Sequence, residues 1–372
     1  MLIISFYLIL ISFAVTVIVT PLIAKLFLKY GISGKDMNKF EKPVVPEMGG
    51  VAILIGFFSS IFCLIWFGLL SLSDQYVYAF LTIILVGIVG FVDDFTRKMV
   101  KKRSKNLRNQ LLKVILIALC TIPLILTRTG TPYLTIPFVG RIYFGVIYWF
   151  LLIPIGITGA ANLVNMLAGL NGLEIGISLI ACIFLLLVSI FLVAFDSSYI
   201  LAAMIGCLAA FLIYNIYPAK VFPGDVGTLC IGATIAAAVI VGNYELIGVI
   251  VLIPHIIEFF ISARVKLNSE NFGIPQQDGT LQPMNPKQAL THYFMALGNF
   301  SESTITYLIW IFCAFWGFFA LYIGWPFYKW DLIPYSSLNI NILYGIILGL
   351  IIFALIGIFC RKKLGEVLSS VS

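Results

Sequence analysis

Residues 2–23 read LIISFYLILISFAVTVIVTPLI, an apolar run with no charged side chain. A helix needs roughly 20 such residues to cross the hydrocarbon core of a bilayer, so the stretch predicts a membrane span. No basic segment precedes it, and it is too long for the apolar core of a signal peptide, so it reads as a span that is retained. Ten further runs of the same character follow, at 51–70, 77–92, 111–126, 142–160, 175–194, 199–214, 229–241, 246–261, 305–323 and 342–360. Those at 77–92 and 229–241 are short, which leaves ten or eleven spans. Backbone polar groups cannot stay unpaired in hydrocarbon, and runs this long are not barrel strands. The expected fold class is therefore all-α, a polytopic transmembrane helix bundle.

Composition points the same way. Apolar residues make up 61% of the 372 and charged residues only 10%, against about 25% charge in soluble domains. Such a chain would expose large apolar patches to water, so lipid is its solvent. The whole of 1–372 reads as one integral membrane domain, with a core of about 1–324 and an additional span at 342–360. The seven cysteines fall singly, without CxxC spacing or His neighbours, and indicate neither a disulfide framework nor zinc. Nothing in the sequence points to nucleic acid.

With eleven spans, alternate loops fall on alternate sides. All Lys and Arg except Arg128, Arg141 and Lys329 then lie on one side, which the positive-inside rule makes cytoplasmic. Those same loops carry the polar motifs. Asp93-Asp94 follows the third run and leads into FTRKMVKKRSKNLR. The pair reads either as a solvated helix end beside a basic patch, or as carboxylates suited to holding a divalent metal near phosphate charge. NLVNMLAGLNGLEIG follows the fifth run. Asn162 and Asn165, at i and i+3, share one helix face, and Gly169, Asn171 and Gly172 supply a turn and a close-approach backbone. Interhelical amide hydrogen bonds would also account for the two asparagines. FPGDVGT at 222–228 places Asp225 between glycines, as a helix cap or as a metal ligand with room for a phosphate. GKDMNKFEKPVVPEMGG fills the loop after the first run. Four polar motifs on one membrane face, each acidic one beside Lys or Arg, are poorly explained by coincidence.

In this order the motifs resemble those of the polyprenyl-phosphate N-acetylhexosamine-1-phosphate transferase superfamily, glycosyltransferase family 4. The similarity is greatest to the branch of the eukaryotic dolichyl-phosphate enzymes and their archaeal counterparts. Asp93-Asp94 resembles the family's DD motif, Phe222–Asp225 its F-x-G-D motif, and NLVNMLAGLNGLE the dolichyl-branch pattern, with Ala168 and Asn171 where bacterial members usually carry Asp. Asp36–Lys39 and Pro46-Glu47 also resemble that branch. The resemblance runs from about Gly31 to at least Asn285. It implies transfer of N-acetylglucosamine-1-phosphate from UDP-GlcNAc to a polyprenyl (dolichyl) phosphate, giving the lipid diphosphate sugar and UMP, the first step of lipid-linked oligosaccharide synthesis for N-glycosylation. The implied cofactor is Mg²⁺, with Mn²⁺ as a substitute. The implied membrane is an archaeal plasma membrane or the endoplasmic reticulum, the active site facing the cytoplasm, and a homodimer is left open.

Carried over residue by residue, the resemblance puts Asp225 and Asn165 on the metal, Asn162 and Lys113 on the diphosphate, and Asp93 and Asp94 at the catalytic centre. Phe222 would stack on uracil, with Met37, Glu47, Gly169 and Asn171 around the base. Two departures stand out. The His-rich motif of the peptidoglycan branch is missing, with only His255 and His292 present. The stretch NFGIPQQDG lacks the arginines that in the dolichyl branch recognise the sugar. Arg264, Lys266, Lys287 and His292 are the candidates to replace them. The alternatives are a relative that uses another UDP-N-acetylhexosamine, and a transporter or flippase. Against the latter, Glu258 is the only acidic residue deep in an expected span, and no inverted repeat is visible.

Overall fold

The computed structural model describes residues 2–69, 73–99, 107–136, 140–267 and 269–332. The elements of the first half are α1 (Leu2–Lys29), a hairpin of β1 (Ser33–Lys35) and β2 (Val44–Pro46), α2 (Gly50–Trp66), α3 (Asp74–Met99), α4 (Leu107–Leu119) and α5 (Ile122–Leu126). A second hairpin, β3 (Tyr133–Ile136) with β4 (Gly140–Tyr143), precedes α6 (Ile153–Met166), whose helix is entered through a π-turn at Tyr148–Leu152. Then come α7 (Leu173–Phe191), α8 (Phe195–Asn215), α9 (Gly224–Gly242), α10 (Glu245–Val251) and α11 (Ile253–Ala263). A small sheet of β5 (Ile274–Pro275), β6 (Thr280–Gln282) and β7 (Phe300–Ser301) encloses α12 (Leu290–Met295), and α13 (Glu302–Leu332) ends the described chain. The described residues up to Tyr328 pack as one unit.

Seven of these helices are long and apolar enough to cross a membrane, and an eighth span is made by α10 and α11 if that pair, bent by 63°, counts as one. The chain is an all-α multi-pass membrane protein. Nine of the first ten expected runs lie mainly on a helix or a broken pair of helices, the run at 142–160 begins in β4 and reaches α6 only through the π-turn, and the eleventh, at 342–360, lies outside the described residues. The two runs expected to be short belong to helices of 26 and 19 residues. Both continue through polar residues at one end, which an apolar window cannot follow. Conversely, α2 is only 17 residues, and 111–126 is split between α4 and α5, with a proline opening the second piece.

The bundle is organised around α9, 94% of whose span is buried, whereas α1 is only 22% buried. Aliphatic and aromatic side chains such as Ile3, Phe6, Ile18 and Leu22 point outward, where hydrocarbon is their solvent. Helices cannot gain from hiding apolar surface in lipid, so close backbone approach does the work. A Cβ at Gly232 of α9 would lie 2.3 Å from Ala160 O of α6, and one at Gly50 of α2 would lie 2.2 Å from Gly227 N of α9. Small residues thus set how close α2 and α6 come to the central helix.

Candidate active site

The same device brings α3 onto the start of α9. A Cβ at Gly90 would stand 2.6 Å from Asp225 O and 2.8 Å from Val226 Cα. One turn further along α3, Asp94 therefore meets the first turn of α9, and its Oδ2 accepts the Val226 N–H at 3.0 Å. Asp94 satisfies one of the unpaired donors at that helix start and sits where the helix dipole favours a negative charge. Gly224 adopts φ +69, and a Cβ there would be 2.6 Å from Asp94 Oδ2, so the turn into α9 requires glycine.

Asp225, the second residue of α9, is not the helix cap. Its Oδ1 is 2.9 Å from Arg97 Nη2 and its Oδ2 accepts from Lys113 Nζ at 2.8 Å. Arg97 also pairs with Asp94, and its Nε is 3.5 Å from Asp93 Oδ2. Lys113 Nζ is likewise 3.5 Å from Asp93 Oδ2. Three carboxylates thus share two cations, at a helix junction drawn from α3, α4 and α9. The side chain of Asp93 is 30% exposed, against 4% for Asp94 and 11% for Asp225, so Asp93 is the least buried of the three. Lys113, expected in a loop, stands in the middle of α4.

On α6, Asn165 Oδ1 accepts from Thr228 Oγ1 of α9 at 2.7 Å, whereas Asn162 Nδ2 turns back to Thr158 O of its own helix at 2.8 Å. Phe222 leads into α9. Its N–H donates to Pro46 O and its carbonyl accepts the Gly49 N–H, each at 2.9 Å, so the β1–β2 hairpin is laced to the Asp225 turn. Glu47 at the end of that hairpin pairs with Lys98 of α3 at 2.5 Å, and Lys98 Nζ also donates to Ser33 O at 2.7 Å.

A second polar cluster lies in the same group of loops. Asn171 is buried, and both ends of its amide have protein partners. Oδ1 accepts from Lys39 Nζ at 3.0 Å and from Ala219 N–H at 2.7 Å, and Nδ2 donates to Asp36 Oδ2 at 3.1 Å. Gly169, at φ +107, gives its carbonyl to Asn38 Nδ2 at 2.6 Å. Met37 is exposed at the tip of that turn. Of the four groups considered for sugar recognition, His292 is fully buried. Its Nδ1 accepts the Gln288 N–H at 3.1 Å and its Nε2 bonds to Phe272 O at 2.9 Å, which ties the ring to the backbone on both sides. Burial holds this imidazole below its ordinary range. Arg264 and Lys287 instead gather at one exposed tyrosine: Arg264 Nη2 donates to Tyr293 OH at 2.9 Å, and Lys287 Nζ stands 5.2 Å over its ring. Lys266 has a left-handed backbone, φ 56, just past α11.

Residues 76–243, which carry the Asp93, Asn165 and Asp225 motifs, match the sequence model of glycosyl transferase family 4. A protein of Saccharolobus solfataricus, named "Putative UDP-N-acetylglucosamine–dolichyl-phosphate N-acetylglucosaminephosphotransferase", is 34% identical over 306 residues, 81% of this chain and 91% of its own. The chain belongs to glycosyl transferase family 4. Other relatives are a UDP-N-acetylglucosamine–dolichyl-phosphate N-acetylglucosaminephosphotransferase of Schizosaccharomyces pombe, 28% identical over 68% of this chain and 65% of its own, and a phospho-N-acetylmuramoyl-pentapeptide-transferase of Acetivibrio thermocellus, 29% identical over 83% and 93%. The relatives thus include the dolichyl-phosphate branch that the motifs resemble and the peptidoglycan branch from which they depart.

Within this family member the structure adds residues that the sequence reading left unassigned. Arg97 was legible only as part of a basic stretch, although its i+3 and i+4 spacing from Asp94 and Asp93 puts all three on one face of α3. Lys98 carried no signal of its pairing with Glu47. Glu302, which accepts the Asn171 N–H at 2.7 Å across 131 residues of chain, carried none at all.

Proposed function

We propose that the chain transfers N-acetylglucosamine-1-phosphate from UDP-GlcNAc to a polyprenyl phosphate of the dolichyl type, releasing UMP. The observation that carries this reading is the cluster of Asp93, Asp94 and Asp225 around Arg97 and Lys113 at one end of a membrane bundle. The names of the archaeal and yeast relatives support the substrate pair. An oxygen of the lipid phosphate forms a new bond to the β-phosphorus of the donor. The bond from that phosphorus to the bridging oxygen breaks, and its electron pair leaves on UMP. A phosphate's second pKa is about 6, so the nucleophile is ionised near neutrality without a strong base. The difficulty is the meeting of two anions, and charge neutralisation with positioning is the main task in phosphoryl transfer. Arg97 and Lys113 supply positive charge, and their present carboxylate partners hold both side chains at the site.

Among the described residues no group of three or more His, Cys, Asp or Glu is set to hold a metal ion. Mg²⁺ takes oxygen donors and binds through one or two carboxylates plus substrate phosphates rather than in an all-protein cage. Asp225 on α9 and Asn165 on α6 are such donors on packed helices, with Thr228 Oγ1 of α9 2.7 Å from Asn165 Oδ1 and 3.2 Å from Gly224 O. They would hold Mg²⁺, or Mn²⁺ in its place, and the ion would draw negative charge from the diphosphate as a Lewis acid. Phe222, Glu47, Met37 and Gly169 belong to loops joined to this turn and are assigned to the nucleoside side of the donor. By the positive-inside rule, the basic residues of these loops support a site that faces the cytoplasm. The test is mass spectrometry of the lipid product formed from each of several UDP-N-acetylhexosamines. A polyprenyl diphosphate bearing one N-acetylhexosamine supports the reaction, GlcNAc preference fixes the donor, and transfer of intact donor across liposomes without UMP would contradict it.

A further inference from the structure

Glu302 opens α13 and is buried, yet it has no place in the charged cluster of α3, α4 and α9. Its Oε1 accepts the Asn171 N–H at 2.7 Å and lies 3.5 Å from Asn38 Nδ2, and its Oε2 is 3.7 Å from Lys39 Nζ. We infer that Glu302 is a positioning residue for the donor site, acting through Asn171 and Lys39 on the two segments that carry Gly169 and Met37. The inference rests on the reaction proposed above.

The geometry is that of a clasp. Lys39 Nζ pairs with Asp36, bonds Asn171 Oδ1 at 3.0 Å and stands 4.7 Å over the Tyr217 ring. Asn38 Oδ1 accepts the Gly273 N–H at 2.9 Å while its Nδ2 holds Gly169 O. Five separate segments, 36–39, 169–171, 217–219, 273 and the start of α13, are thereby locked together by buried polar groups. Two carboxylates, Asp36 and Glu302, share the one ammonium of Lys39. Removing either partner of such a buried set strands the others, and the cost falls on the geometry of the loops.

The helix itself does not depend on Glu302. Ile305, Ile309 and Cys313 of α13 are packed in an apolar cluster with Leu167, Leu170, Leu173 and Ile177. Loss of the carboxylate therefore leaves α13 docked and frees the polar backbone between those leucines, at Gly169 and Asn171. Glu302 acts on where the nucleotide-facing turn sits rather than on whether the bundle forms.

The test uses the full chain purified in detergent, with Glu302→Ala and Glu302→Gln. Steady-state constants are measured for donor and lipid acceptor, and amide exchange is followed at 167–173. The expected result for Glu302→Ala is a donor KM raised roughly tenfold, an unchanged acceptor KM, and faster exchange of the Asn171 amide. Glu302→Gln keeps an oxygen for that amide and recovers most of the donor KM. Should the alanine variant fail to fold, Glu302→Gln and Lys39→Met carry the comparison, the lysine variant raising the donor KM. A lowered Tm with both KM values unchanged would overturn the inference, as would unchanged exchange at Asn171. Exchange needs no turnover. A parent chain that releases UMP from no UDP-sugar contradicts the proposed reaction, whereas unaltered Asn171 exchange contradicts the role of Glu302.

Discussion

Asp94 Oδ2 accepts the Val226 N–H at 3.0 Å, so a carboxylate at the end of one spanning helix satisfies the first turn of another. Its neighbour Asp93 stands 3.5 Å from both Lys113 and Arg97, the latter shared with Asp94, and is the less buried member of the pair. Two adjacent aspartates thus differ in their surroundings, one bonded to the start of α9 and the other less buried beside Lys113.

Replacing them separates these roles. Asp94→Ala removes a helix-start acceptor and an Arg97 partner and is expected to destabilise the chain by about 1–2 kcal/mol. Asp93→Ala is expected to leave the melting temperature nearly unchanged and to reduce turnover on the order of 100-fold or more. Thermal unfolding in detergent beside UMP release reads both, and equal Tm losses for the two variants would refute the division.

Gly90 sets the contact between α3 and α9 that brings the three aspartates together. A valine there has no room against Asp225 O and Val226 Cα, and overpacking of this kind costs about 1–3 kcal/mol. Gly90→Val should lower both the Tm and the activity of the folded fraction, with Gly90→Ala between it and the parent. A valine variant with parental Tm and turnover would show that the helices approach elsewhere.

How far all this could be read from the sequence depends on the element. Apolar helices at most of the expected runs were legible because hydrocarbon admits so few alternatives, although only seven, or eight with the bent pair, are long enough to span. Their ends were not, because α3 runs on through Asp93 and Asp94, and α9 begins at Gly224, before the apolar pattern starts. Site helices interrupt the apolar run that marks a span, so Asp93 and Lys113 were expected in loops or at loop edges and lie on helices. Ordered motifs made the charged cluster legible through family resemblance. Nothing local signals that Glu302 meets Asn171, or Lys98 meets Glu47, since those pairs exist only once distant segments are packed.

Lys98 holds Glu47 from the end of α3 while also bonding Ser33 O. Lys98→Met should therefore raise the donor KM by roughly tenfold with kcat kept near the parent's. Kinetics with varied donor at saturating lipid decide it. A fall in kcat at constant KM would move Lys98 from donor positioning to the chemical step.

His292 makes loop stability depend on pH. Its burial holds the folded imidazole below its ordinary value of 6.5, so the unfolded chain binds the proton more readily. The stabilisation is complete above pH 6.5 and is lost as pH falls from there toward the folded value. Amide exchange around 288–296 is expected to accelerate as pH falls below about 6.5, beyond the intrinsic pH effect. His292→Gln should abolish that excess, and an excess surviving the substitution would assign it to another group.

The central claim is that Asp225, held between Arg97 and Lys113, sits at the heart of a lipid-dependent sugar-phosphate transfer. The measurement is UMP release by purified chain given UDP-GlcNAc and dolichyl phosphate with and without Mg²⁺, run beside Asp225→Asn. Release that requires both lipid and metal, and falls by orders of magnitude in a variant with the parental Tm, is the predicted result. Release that is indifferent to lipid, or undiminished in Asp225→Asn, would contradict it.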